Sequence, residues 1–127
     1  MNTPPRILIT EDDPLLSVAL QDKLAGAGYE VVSAEDGLAA LELLKSSTFD
    51  LMILDIMMPH LDGFGLLRTL SQQGIPQPIV VAITNLPEEV LTVRLAELHV
   101  DRHFIKSETP LEDIVAYVKG KFGGIPA

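Results

Sequence analysis

The residues Leu51-Met52-Ile53-Leu54 form an uninterrupted apolar run that ends on Asp55 and is followed by Ile56-Met57-Met58-Pro59. A strand with one wet face would alternate apolar and polar residues. A continuous run instead reads as a strand buried on both faces, the situation in a parallel sheet covered by helices. Asp55 then sits at the carboxyl end of such a strand. That is the edge at which open α/β sheets bind ligands.

The chain has 127 residues, the length of one domain, expected to span 1–127 with a core over about 5–122 and a tail over 123–127. Its 47% hydrophobic content is sufficient for a packed core and excludes disorder. No apolar run approaches the length of a bilayer span, and Met1-Asn2-Thr3-Pro4-Pro5-Arg6 lacks the apolar stretch of a signal peptide. The start at Met1 is read as a natural beginning. Cysteine is absent, which removes disulfides, thiolate ligands and thiol nucleophiles, and is compatible with a reducing cytoplasm, the expected location. The net charge of −9, with nine scattered basic residues, argues against direct DNA binding by this chain.

Five short β-rich runs, Ile7–Ile9, Val31–Val32, Leu51–Leu54, Ile79–Ile83 and Phe104–Ile105, alternate with five helical patterns. Strands alternating with helices imply right-handed βαβ units and a parallel sheet. Asp13-Pro14, Asp36-Gly37 and Asp62-Gly63 read as the capped starts of the first three helices, and Pro87-Glu88-Glu89 puts acids in the first turn of the fourth. Thr109-Pro110-Leu111-Glu112 reads as a capping box opening the fifth, whose apolar stripe is Ile114, Val115, Val118 and Phe122. Gly123 to Ala127 reads as a frayed end. Leu91, Leu95 and Leu98 on the fourth helix are core or an interface patch, with core favoured for most of them; a weak homodimer stays open.

Polar residues cluster just past the strands. Glu11, Asp12 and Asp13 follow the first, Asp55 the third, Thr84 and Asn85 the fourth, and Lys106 the fifth. In a doubly wound sheet of order 2-1-3-4-5, strands one and three meet at the switch point, so the first acids face Asp55. Carboxylates brought together repel and call for a cation; a partly filled oxygen cage suits Mg²⁺, which keeps waters and shares phosphate oxygens. A metal, the Lys106 ammonium and the Thr84 hydroxyl together match the needs of a transferring phosphoryl group, with Asp55 as the carboxylate able to form an aspartyl-phosphate.

Five segments, Ile7-Leu8-Ile9-Thr10-Glu11-Asp12-Asp13, Leu51 to Pro59, Asp62-Gly63, Ile83-Thr84 and Phe104-Ile105-Lys106, stand in order at the spacing of one family. Each alone is weak; together they are specific. The chain resembles the receiver domain of two-component response regulators. The resemblance implies a flavodoxin-like (βα)5 fold with sheet order 2-1-3-4-5. It implies that Asp55 accepts a phosphoryl group from a phosphohistidine on a sensor histidine kinase or a histidine phosphotransfer protein. It further implies that Glu11, Asp12, Asp55 and the backbone carbonyl of Met57 hold Mg²⁺, that Thr84 is the switch hydroxyl, and that Lys106 pairs with the phosphoryl group. The output would be a shift of the face built from the fourth helix, fifth strand and fifth helix, read by a downstream protein target.

Four positions depart from the pattern. Asn85 replaces a small residue after the switch threonine, and would either narrow access to the phosphoryl group or donate a hydrogen bond. Ser107 replaces the proline after the lysine, leaving a trans bond with an altered loop or a costly cis bond. His103 stands at the place of the switch aromatic and adds a side chain that can charge near neutral pH. His99 replaces a glycine that ends the fourth helix, a place that favours a left-handed residue. Met57 and Leu86 are apolar at the positions flanking the path of the hydrolytic water, so slow autodephosphorylation is expected.

Simpler readings compete. Asp13 reads as a helix cap, Met58 as core filler and His60 as a solvated loop histidine. Thr84 or Asn85 could cap the fourth helix. A receiver-like interaction module independent of phosphate is the main alternative function. An aspartyl-enzyme phosphatase is disfavoured, because the position of its second carboxylate is Met57. A stand-alone receiver and one excised from a longer protein both fit the sequence.

Overall fold

The computed structural model describes residues 3–123. The expected frayed end at residues 124–127 and the expected natural beginning at Met1 lie outside the described residues. Five strands, β1 (Arg6–Thr10), β2 (Glu30–Ala34), β3 (Leu51–Asp55), β4 (Ile79–Thr84) and β5 (Arg102–Ile105), alternate with five helices, α1 (Pro14–Gly26), α2 (Gly37–Ser46), α3 (Gly63–Gln73), α4 (Glu88–Glu97) and α5 (Leu111–Lys121). The strands form one parallel sheet in the expected order, β2-β1-β3-β4-β5. Every strand apart from β3 and β4 extends beyond its apolar run at both ends or at its start; those two gain only one terminal residue, Asp55 or Thr84. Strand pairing recruits polar flanking residues that hydrophobicity alone does not mark.

The apolar run of β3 feeds both faces of the sheet. Met52 and Leu54 belong to a cluster with Leu41, Leu44, Leu67, Leu70, Leu91 and Leu95, under α2, α3 and α4. Leu51 and Ile53 belong to the opposite cluster with Leu20, Leu24, Ile114, Val115 and Val118, under α1 and α5. All four are wholly buried. Side chains alternate along a strand, so a strand covered on both faces has no solvent-facing position between its ends. Full burial of each such side chain is worth roughly 1.5–3 kcal/mol. Leu91 and Leu95 are core, and Leu98 packs partly buried against the same cluster.

Three helix starts form as read from the sequence. Asp13 accepts from the Leu15 N–H at 3.0 Å, Asp36 from Ala39 at 2.8 Å and Asp62 from Gly65 at 2.7 Å. The other two differ. The capping box at Thr109 does not form: Pro110 is extended and stands before the first helical residue, and the Thr109 hydroxyl instead donates to the Ile105 carbonyl at 2.7 Å. α4 likewise has Pro87 at its cap position and no side-chain cap, so neither Thr84 nor Asn85 caps it. His99 takes the left-handed conformation its position favours, with φ 58°. The described residues contain no cis peptide bond, so Lys106-Ser107 is trans, and the residues Lys106–Glu108 turn into a short 3-10 helix.

Candidate functional site

The carboxyl ends of β1, β3, β4 and β5 converge. Glu11 and Asp55 are each 2% exposed, while Asp12 is exposed. One carboxylate oxygen from each of Glu11, Asp12 and Asp55 falls within 4.8 Å of the other two. Lys106 closes the cluster from β5. Its Nζ donates to Asp55 Oδ2 at 3.1 Å and to Glu11 Oε2 at 3.1 Å. Asp13 donates its backbone N–H to Glu11 Oε2 at 2.9 Å, and the Met57 N–H donates to Asp55 Oδ1 at 3.0 Å.

Burial sets the charge balance of this cluster. It pushes the Glu11 carboxyl up to about 7, against the opposing pull of the Asp13 N–H and the Lys106 ammonium. Burial raises Asp55 too, with Lys106 opposing. For Lys106, burial acts against its charge, but the contacts to Glu11 and Asp55 outweigh it and the ammonium is held more tightly protonated than usual. One cation thus serves two buried acids.

The donor set fits a small hard cation. Glu11 Oε1 lies 2.9 Å from Lys106 Nζ, yet outside hydrogen-bonding geometry, so this buried oxygen makes no hydrogen bond. Carboxylate oxygens of Glu11, Asp12 and Asp55 present an all-oxygen face, partly open through the exposed Asp12, of the kind that suits Mg²⁺ with retained waters. Met57, two residues past Asp55 in the loop that follows β3, is 57% exposed.

Thr84 is wholly buried at the end of β4, and its Oγ1 accepts the Leu86 N–H at 3.1 Å. Leu86 itself packs against the core rather than standing free over the site. His103 is not part of the cluster. It is half-buried on β5 beside Ala82 of β4, with Nε2 3.7 Å from Glu88 Oε1 in the first turn of α4.

Two contacts escaped the sequence reading. Asn85 Oδ1 accepts the Ser107 N–H at 2.8 Å, so the two departures after Thr84 and Lys106 are partners of each other. Asn85 acts as an acceptor in this contact. A proline at 107 would offer no N–H, which was the available signal. His60, expected to be solvated, is exposed but takes φ 70° and sets Nδ1 3.3 Å from Asp36 Oδ2 at the start of α2. That pair spans 24 residues and leaves no local pattern. Beside it Gly37 is pressed against the same loop: a Cβ there would lie 2.1 Å from the Leu61 carbonyl oxygen.

The family model for the response regulator receiver domain matches residues 7–119. The chain is 36% identical over 107 residues to the alkaline phosphatase synthesis transcriptional regulatory protein PhoP of Bacillus subtilis, covering 84% of this chain and 44% of that protein. It is 32% identical over 113 residues to the probable transcriptional regulator ycf27 of Guillardia theta, covering 88% and 43%. The chain therefore spans less than half the length of these curated relatives. Among solved structures, the signal receiver domain of a signal transduction histidine kinase from Syntrophus aciditrophicus superposes with TM-score 0.81 at 30% identity, covering 95% of this chain and 92% of that one. The response regulator TrrA of Thermotoga maritima, in complex with Mg²⁺-BeF, superposes with TM-score 0.75 at 28% identity, covering 91% and 97%.

Proposed function

The chain belongs to the response-regulator receiver family, and from that premise we propose that it is a phosphorylation-dependent switch whose phosphoacceptor is Asp55. The observation that carries this is the meeting of Glu11, Asp12 and Asp55 oxygens within 4.8 Å, with Lys106 bonded to two of the three acids. A lone carboxylate at a strand end would not need that company.

In this reading an Asp55 carboxylate oxygen attacks the phosphorus of a phosphohistidine on a sensor histidine kinase or histidine phosphotransfer protein. The P–O bond to Asp55 forms as the P–N bond breaks, and the departing imidazole keeps the electron pair. Glu11, Asp12, Asp55 and the Met57 carbonyl would hold Mg²⁺, which neutralises charge developing on the phosphoryl oxygens. Lys106 swings its ammonium from the carboxylates to a phosphoryl oxygen. Thr84 turns its hydroxyl proton toward another, drawing on the Leu86 turn that its Oγ1 now accepts from. That movement would shift α4, β5 and α5, with His103 on β5 following, and so alter the face offered to a downstream protein. The role is signalling within the cytoplasm. The chemistry is limited to the protein's own phosphorylation and hydrolysis. Among the described residues no helix is long and apolar enough to cross a bilayer.

Incubation with acetyl phosphate and Mg²⁺, followed by intact mass, tests the reading. One added phosphoryl group, lost without Mg²⁺ and in Asp55→Asn, is the expected result. Failure with both acetyl phosphate and a phosphohistidine donor would favour the phosphate-independent interaction module instead.

A further inference from the structure

Resting on that reading of the site, we infer that Asn85 is a positioning residue: its bond to the Ser107 N–H ties the loop that carries Lys106 to the loop that carries Thr84, and so sets both groups for one phosphoryl group. Thr84 and Lys106 are each followed at once by a member of the pair. The Asn85 Oδ1 to Ser107 N distance is 2.8 Å, across 22 residues of chain. An amide side chain can face an N–H only with its oxygen, so the orientation of Asn85 follows from its partner.

The two loops have little else to hold them in step. β4 and β5 pair up to Thr84 and Ile105, where the ladder ends. Beyond that point, among the described residues, Asn85 to Ser107 is the hydrogen bond that joins them. Lys106 carries a flexible four-carbon stem, and its reach to Asp55 depends on where its backbone sits. Thr84 is β-branched, with a stiff first side-chain torsion, and wholly buried. A phosphoryl group on Asp55 needs both at hydrogen-bonding distance, and misplacing one by an ångström is costly. The two residues are complementary. Serine supplies an N–H that proline lacks, and asparagine supplies an acceptor that a small apolar residue lacks.

The tie acts on groups that meet the phosphoryl oxygens, not on the acids that would hold the metal. This separates positioning from support of the fold. Calorimetric titration with Mg²⁺ alone reads Glu11, Asp12 and Asp55. Titration with beryllofluoride in saturating Mg²⁺, a mimic of the bound phosphoryl group, reads Thr84 and Lys106 as well. Asn85→Ala is expected to weaken beryllofluoride binding about threefold, the scale of one exposed hydrogen bond, without weakening Mg²⁺ binding. Ser107→Ala keeps the N–H and should match the wild type. In Ser107→Pro, which lacks it, adding Asn85→Ala should produce no further loss.

Absence of beryllofluoride binding by the wild type would overturn the reading of the site and this inference with it. Wild-type binding that Asn85→Ala leaves unchanged would overturn the inference alone. So would equal weakening of Mg²⁺ and beryllofluoride, which would make Asn85 a support of the fold.

Discussion

Lys106 places its ammonium 3.1 Å from Asp55 Oδ2 while also touching Glu11, so the same cation that screens the acids stands where a metal would compete for them. In the proposed mechanism, replacing it removes both a competitor for the metal and a hydrogen-bond donor to the phosphoryl group. Lys106→Gln is expected to leave Mg²⁺ affinity intact or tighter and to slow adduct formation from acetyl phosphate about a hundredfold, the scale set by loss of one preorganised donor. Titration and timed intact mass measure the two effects separately.

The Glu11 carboxyl, pushed up to about 7 by burial, gives the site a pH signature. Below that pH the metal-free protein carries a proton that must leave before Mg²⁺ binds. Affinity should therefore fall about tenfold per pH unit as pH drops from 7 toward 5. The stability of the metal-free protein should run the other way. An acid whose folded pKa is raised above its unfolded value of 4.5 binds more protons folded than unfolded, so Glu11's contribution to stability is fully present below 4.5 and is lost as pH rises to about 7, a slope that Glu11→Gln should remove. Urea midpoints across that range, with and without Mg²⁺, check both signs.

Gly37 sits where any side chain collides. Gly37→Ala puts a Cβ 2.1 Å from the Leu61 carbonyl oxygen, in backbone and not in a yielding side chain. Although alanine is otherwise the better helix former, the variant should lose about 2 kcal/mol or more, on the scale of an overpacked core. The loop after Asp55 would move with Leu61. Mg²⁺ affinity should fall along with the melting temperature.

His99 shows the opposite case. Its φ of 58° strains a side chain that stands exposed. Gln77 reaches only its backbone carbonyl, at 3.3 Å, and a glycine keeps that bond. His99→Gly is expected to stabilise the protein by about 1 kcal/mol, visible as a raised urea midpoint with unchanged slope.

Hydrolysis of the phosphorylated protein should be slow. Met57 offers an exposed thioether and Leu86 an aliphatic group turned into the core, and neither can orient a water. A phospho-form half-life of minutes or longer is expected by intact mass after donor removal; seconds would contradict it. Met57→Asn, which offers both a donor and an acceptor, should shorten it.

The fold was legible because β3 cannot be read otherwise: four buried apolar residues closing on an acid leave little but a covered parallel strand. The acids of Glu11, Asp12 and Asp55 were legible for the same reason, since strand ends locate them. Thr109 misled because its spacing to Glu112 satisfies a capping pattern, while Pro110 takes an extended conformation and the hydroxyl found the Ile105 carbonyl instead. The Asn85 to Ser107 and His60 to Asp36 bonds were hidden because each joins loops more than twenty residues apart, and no periodicity records such a meeting.

Glu11 and Asp12 follow β1, Asp55 ends β3 and Lys106 follows β5, so the cluster spans 95 residues of chain from Glu11 to Lys106. An unfolded chain has no reason to bring them together. Occupancy of the site is therefore a gauge of whether the central strands are in register, and every tenfold excess of a bound ion over its dissociation constant would add about 1.4 kcal/mol to the folded state. In a protein whose margin is only of order 10 kcal/mol, the ion that prepares the switch would also act as its thermal ballast.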